Sequence, residues 1–595
     1  MKNTKNTLST EWNLGVFYKD INDPQMKKDM ELSKKAYIAF AKKYTKDKSF
    51  LKSDKALAEA LIQYQKLYGA PMSKVSYYLA YRQVLDGENN DIRAKLNLIE
   101  AELRSISNEV VFFDVELSKI PVTLQKKFLV SKKLAPYHYF LERMFIKGKH
   151  VLSTPEEKIM SLKSQPSYSM WVDANEKLLQ GLMVEYKGKQ LPYAEAYQRV
   201  HDLPTQEERA ELDKATYTAV QNISSMAEVE INAIVVNKKI DDTLRGYKNP
   251  YDATIESYEN DPKTVLKLVE VVTTHFPLSA RFYALKKNML NLTKFMYSDR
   301  AAKVGEVHKK ISFEESFAEL QRVFGNTDSL FRDILDRLVY KGQVDVFPKK
   351  GKRGGAFCSH GINQPTMVML NHTDNLESHS TFAHEMGHAI HSELSKKQNP
   401  LYEGYSTATA EVASTFFEMI VFYDAFEKMN DEEKIVALHD KISDDAQTIF
   451  RQIAFFNFEK ELHATIREKG SLSKEEMAQL YSTHLSAYLG SDVIIPEHSG
   501  YQFASVPHFR NFFYVYSYAF GQLASKALYA KYKENPKFIE KIKEFLSAGG
   551  SMSPEDIFKS IGVNVTKPDF FEKGIKTIED DINLLEKLVS EKKKK

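Results

Sequence analysis

The segment TFAHEMGHAIHSE, Thr381–Glu393, sets His384, Glu385 and His388 among small and apolar residues. On a helix, residues four apart lie about 40° from each other around the axis, so the two histidines share a face. Two imidazoles so placed can hold one Zn2+. Glu385 is turned by about 100° from His384. It borders the metal without displacing a ligand, where a general base for a metal-activated water belongs. Ala383, Met386, Gly387, Ala389 and Ile390 predict a buried helix whose small residues let other segments come close. His391, one heptad beyond His384, shares the face, with a core or supporting hydrogen bond as its plainer reading.

A catalytic zinc needs three protein ligands and one open position. The compact pattern with a Gly three residues after the second histidine and a third His three further on fails, because His391 and Leu394 stand there. The third ligand must come from further along. Glu411 lies 411 − 388 = 23 residues past His388, in a strong helix opened by Ser406 and Thr407. Its neighbours Ala408, Ala410, Val412 and Ala413 predict burial, and a buried carboxylate needs a partner. Glu418, two helical turns on, shares its face and could orient a histidine ligand. Glu393, off the ligand face, and Glu403, in the turn NPLYEGYS, compete with Glu411 for the third position.

These side chains need a rigid frame, and most of the chain reads as helix after helix. PQMKKDMELSKKAYIAFAKKY and KALAEALIQYQKLYGA carry helical spacing. DIRAKLNLIEAELRSISNEVVFFDVELSKI predicts one long helix before Pro121, with Leu96, Ile99, Leu103, Ile106 and Val110 as its buried stripe. Alternation around Lys187-Gly188 predicts a hairpin in MVEYKGKQLPY. Helices resume near Gln206. The one convincing sheet lies between about Asp345 and Asn371, in VDVFP, GGAFCSH and TMVMLN, directly before the histidine segment. The Gly- and Pro-containing stretch from Gly490 to Pro507 is a candidate functional loop.

Composition removes several classes. The 595 residues carry 83 Lys+Arg against 80 Asp+Glu, a net charge of +3, which gives no whole-chain argument for nucleic acid or an acidic membrane. Cys358 is the single cysteine, so no intrachain disulfide forms. The N-terminus lacks the apolar core of a secretory signal, and no apolar run of membrane-spanning length occurs. A cytoplasmic location is the expectation. The C-terminal SEKKKK reads as a solvated tail.

HEMGH, followed some two dozen residues later by AEVASTFFE, resembles the M3 family of zinc oligopeptidases, most closely the bacterial oligoendopeptidase F group. EWNL, RGYKNP, KRGGAFCSHG and PHFRNFFYVYSYAFG match in the right order, so the resemblance spans most of the chain. It implies a mainly α, elongated, two-lobed fold with a deep central channel and a small β-sheet beside the metal helix. An N-terminal helical domain, 1–200, would form one wall, and 201–595 a zinc-containing catalytic domain. One Zn2+ would be held by His384, His388 and Glu411, with Glu385 as base and Glu418 in support. Gly355, Ala356 and Phe357 would pair with the substrate backbone. His508, Tyr514 and Tyr516 would face the zinc, with the register among Tyr514, Tyr516 and Tyr518 open. Read without the resemblance, aromatics so dense also suit a core.

The resulting expectation is a zinc-dependent endopeptidase that cuts internal bonds of short unstructured peptides. It calls for no nucleic acid and no membrane, and leaves monomer or dimer open. A zinc hydrolase of another bond, a non-catalytic peptide-binding module and a structural zinc protein are the rivals. The extended GGAF stretch favours a peptide partner, the intact Glu385 favours catalysis, and the lone Cys358 disfavours a structural zinc.

Overall fold

The computed structural model describes residues 8–305 and 310–594. Helices dominate, and the sheets are small. Among the described residues no helix is long and apolar enough to cross a membrane.

The chain divides into two compact units, each assembled from three stretches. One comprises Met1–His150, His308–Ala425 and Lys531–Gly562; the other comprises Val151–Val307, Phe426–Ala530 and Val563–Lys595. These packing units are cut differently from the sequential pair 1–200 and 201–595.

The first unit begins with helices whose starts are written in the sequence. Asp23 caps Pro24–Lys46, and Ser53 caps Asp54–Tyr68. Their apolar faces meet around Phe40, Tyr44, Phe50, Tyr64 and Phe113, with the rings of Phe50 and Phe113 stacked at 4.8 Å. The long helix expected through residue 120 is broken. It runs Asn90–Asn108, turns through Glu109 and Val110, and restarts as Val111–Ser118. The break turns Phe113 and Leu117 into the core, where both are fully buried, while Leu96, Ile99 and Leu103 pack only partly buried at its margin.

The expected sheet is present. Met367–Met369 is its central strand, parallel to Val344–Asp345 and antiparallel to Phe357–Ser359, which is an edge. Trp12 of the EWNL segment binds it: its indole N–H donates to the Val368 carbonyl at 2.8 Å, and its main-chain N–H to Asp345 at 3.2 Å. Asp345 also pairs with Lys352 at 2.7 Å, both buried.

The second unit contains the predicted hairpin, Met183–Tyr186 with Lys189–Pro192. Lys187 and Gly188 turn it at φ 50° and 74°, the left-handed pair that a two-residue hairpin turn requires. Its longest helix, Gln206–Arg245, starts at the Thr205 cap and ends at Gly246, φ 76°. Buried ion pairs tie its segments together: Arg209 with Asp299, Arg510 with Glu230, and Lys526 with Asp445. A two-residue parallel pairing of Phe295–Met296 with Val493–Ile494 is too short to leave a periodic signal.

Candidate metal centre

Leu376–Ser395 forms the histidine helix, started by Asn375, whose side chain accepts the Ser378 N–H at 2.8 Å. Thr407–Glu427 forms the helix that carries Glu411 and Glu418. Gly387 lets the two approach: a Cβ there would lie 2.6 Å from Ser414 Cα and 3.0 Å from the Ala413 carbonyl oxygen. The small residues read in the sequence thus serve backbone contact, as expected.

The approach brings three donors together. His384 Nε2 lies 3.5 Å from Glu411 Oε2, and His388 Nε2 lies 3.7 Å from the same oxygen. The imidazole rings stand 5.0 Å apart at 82°. One donor atom from each of the three residues falls within 4.8 Å of the others. Ligands about 2.05 Å from a tetrahedral zinc sit about 3.4 Å from one another, so the donor set and its spacing fit zinc with little adjustment. The carboxylates of Glu385, Glu411 and Glu418 around two imidazoles also call for a cation.

Neighbours fix the donors. His384 Nδ1 meets Glu418 Oε2 at 3.1 Å, and Ser380 donates to the other Glu418 oxygen at 2.7 Å. Burial opposes a charged His384, but the hydrogen bond and charge of Glu418, with Glu385 and Glu411, lift it to about 9. His388 is pushed down by burial, against the charge of Glu411. Ser414 donates to Glu411 Oε2 at 3.0 Å. Burial raises Glu385 to about 7, opposed by the charge of His384 and by the main-chain N–H of Cys358 in the edge strand.

Two expectations need correction. Glu411 is not buried: 38% of its side chain stays accessible, because its helix turns that edge away from the core. Gly355 and Ala356 lie outside the edge strand, which opens at Phe357. Gly355 has φ 76° and is exposed, while its carbonyl accepts from Asn371 at 2.7 Å. The competitors for the third ligand are engaged elsewhere. Glu393 pairs with Arg337 at 2.6 Å and Lys396 at 2.5 Å, and Glu403 is buried outside the donor group.

Sequence reasoning missed a support beneath the histidine helix. Tyr405 stacks on the buried His391 ring at 3.6 Å and lies near-parallel to His360. Its hydroxyl meets Ser392 at 2.9 Å, and Ser392 donates to the His388 carbonyl at 2.9 Å. Ser380 and Ser414 were also passed over. Their spacing, four before His384 and three after Glu411, was a readable signal.

The second unit holds the remaining predicted group. His508 and Tyr514 are hydrogen-bonded, Nδ1 to Oη, at 2.5 Å, and Tyr518 Oη lies 3.5 Å from Tyr514 Oη. Burial, with the charge of Arg451, pushes His508 down to about 4, so it is neutral at pH 7. Tyr516 does not belong with them. It is fully buried and its hydroxyl donates to Asn260 at 3.0 Å. Tyr514 and Tyr518 are four apart and align as Tyr516 turns into the core.

Among known proteins, the model of peptidase family M3 matches residues 200–577, and that of oligopeptidase F matches residues 116–181. An oligoendopeptidase F homolog of Borreliella burgdorferi is 29% identical over 542 residues, which cover 88% of both chains. The oligopeptidase PepF of Bacillus subtilis is 26% identical over 476 residues, covering 78% of this chain and 71% of that protein. In fold, a crystal structure from Chlamydophila abortus superposes with a TM-score of 0.84 at 23% identity, covering 97% of this chain and 98% of that one. Oligoendopeptidase-F from Enterococcus faecium superposes at 0.68 and 19% identity, covering 95% and 98%. With the family model spanning well over half of its length, the chain belongs to peptidase family M3 and is a metalloendopeptidase.

Proposed function

We propose that this protein is a zinc-dependent endopeptidase that hydrolyses internal bonds of short, unstructured oligopeptides. The observation that carries the reading is the convergence of His384, His388 and Glu411, with Glu385 beside them on the histidine helix. His384, His388 and Glu411 would hold the ion, and Glu418 and Ser380 would orient His384. A bound zinc supplies Lewis acidity, polarising the scissile carbonyl and making a water acidic.

The chain's own residues do the rest. The Glu385 carboxylate takes the proton of the attacking water and later gives it to the leaving amine. Among the described residues Phe357–Ser359 pairs only on its Met367–Met369 side, so its other edge offers main-chain groups to an extended peptide. The His508–Tyr514 pair donates to the developing oxyanion: with His508 neutral, one of the pair's two protons makes their mutual bond and the other is left for the oxyanion, with Tyr518 behind Tyr514; the family resemblance supports this part. The same resemblance supports a channel that admits short peptides and excludes folded proteins, with a wall built from the N-terminal 200 residues; cytoplasmic action, as monomer or dimer, completes the reading.

Mass spectrometry of mixed unstructured peptides of about 5 to 30 residues, incubated with the zinc-loaded protein with and without chelator, tests the reading. Chelator-sensitive internal cuts confined to the shorter peptides are expected. No cuts by a folded, zinc-loaded sample would favour the peptide-binding module instead.

A further inference from the structure

His508 and Tyr514 stand at the two ends of one short loop, and buried carboxylates hold that loop at two points. The first is Glu230, which receives Nε and Nη2 of Arg510 at 2.8 and 2.6 Å, while Arg510 Nη1 donates to the Val506 carbonyl at 2.8 Å. The second is Glu459, on the helix Arg451–Lys469. It is fully buried, and its Oε1 accepts the Phe513 N–H at 2.9 Å.

The backbone at that second point is strained. Phe512 and Phe513 have φ values of 37° and 61°, both left-handed. A bulky side chain there is a genuine outlier, and two in succession persist only where their surroundings hold them. The surroundings are specific. The Thr254 hydroxyl donates to the Phe512 carbonyl at 2.9 Å. The ring of His463, one turn after Glu459, packs against both phenyl rings at 5.3 and 4.8 Å. This left-handed pair directly precedes Tyr514 and sets the direction from which its phenol reaches His508. Were Phe512 and Phe513 to relax to the right-handed region, the chain would leave the turn elsewhere and the 2.5 Å contact would be lost.

We propose that Glu459 is a positioning residue for the peptidase reaction: by accepting the Phe513 amide it keeps Phe512 and Phe513 left-handed and thereby seats Tyr514 on His508. The inference rests on the reading that these two groups serve the oxyanion. Glu459 works as an acceptor rather than as a charge. Burial, against the Phe513 hydrogen bond, raises it to about 8, so it is neutral at pH 7, and Oε2 has no partner among the described residues. Gln is therefore its closest replacement, and Met has similar bulk without the acceptor.

The test is a double-mutant cycle on the zinc-loaded full chain with an internally quenched peptide, read as kcat and KM separately. Tyr514→Phe is expected to lower kcat about 100-fold. Glu459→Met is expected to lower kcat about tenfold or more with KM within about twofold, and Glu459→Gln to stay within about threefold of wild type. Added to Tyr514→Phe, Glu459→Met should change kcat less than about twofold, because both act through one hydroxyl. Amide exchange in residues 511–516 should quicken in Glu459→Met and not in Glu459→Gln. Should Glu459→Met not fold, Glu459→Asp, which retracts the acceptor by one methylene, replaces it in the cycle. Additive losses, unchanged kcat in the acceptor-less variant, or equal loss in Gln and Met would overturn the inference while leaving Tyr514 in place. Wild-type kcat in Tyr514→Phe would overturn the oxyanion reading and the inference with it.

Discussion

At the residue scale, the centre separates side chains that hold the ion from those that act on the substrate. Glu385 stands on the histidine helix outside the donor set. Glu385→Gln is expected to keep zinc in full while kcat falls at least about 100-fold, a loss at the low end of the general acid–base range; metal analysis beside the peptide assay checks both halves. Glu418 fixes the His384 ring from behind. Glu418→Ala is expected to weaken zinc binding about ten- to a hundredfold, measured by competition with a chromogenic chelator, and unchanged affinity would reduce that carboxylate to a bystander. Tyr516 provides the contrast. Tyr516→Phe strips a buried hydrogen bond from Asn260 and should lower unfolding stability by about 1–2 kcal/mol, with kcat near wild type.

At the element scale, the spacing of two helices sets the donor geometry. Backbone rather than a mobile side chain faces Gly387, so an added methyl has nowhere to go. Gly387→Ala is expected to push the glutamate helix outward, lengthen the 3.5 and 3.7 Å contacts, and cost about 1–3 kcal/mol as overpacking. Calorimetry with and without zinc would show it as a lower melting temperature and a smaller zinc-induced shift; a wild-type profile would show that the helices have slack. The same scale explains why residues 91–120 form two helices and not one. Residues 91–120 carry unbroken helical periodicity, yet the chain turns at Glu109 and Val110 so that Phe113 can stack on Phe50. Tertiary packing overrides local propensity there.

At the scale of the whole molecule, stability is linked to metal and to pH. Zinc bound only by the folded state stabilises it by about 4 kcal/mol at a concentration a thousandfold above Kd. Chelation should therefore lower the melting temperature of both wild type and Glu385→Gln. Glu459 sets a pH slope. Its folded pKa, about 8, exceeds the ordinary 4.5 because burial disfavours the charge. Between these values the unfolded chain has lost the proton that the folded chain keeps, so stability is full below about pH 4.5 and falls as pH rises toward 8, at up to about 1.4 kcal/mol per pH unit. Glu459→Gln should remove that part of the decline, and an identical slope in the variant would assign it to other groups.

The sequence by itself determined whatever depends on local spacing: the histidine pair with its neighbouring glutamate, the Glu411–Glu418 face, the hairpin at Lys187-Gly188, the short sheet, and a mainly helical class. Periods of two and 3.6 residues, caps and left-handed glycines act over a few residues, and so they can be read without coordinates. Tertiary structure alone decided which carboxylate completes the donor set. Glu393 is taken up by Arg337 and Lys396 and Glu403 is buried outside the donor group, while Glu411 lies with the two histidines. It also decided that Tyr514 and Tyr518, rather than Tyr516, lie beside His508. That outcome turns on two left-handed phenylalanines held by Glu459 and Thr254, and no local pattern announces a backbone conformation stabilised from 54 and 258 residues away.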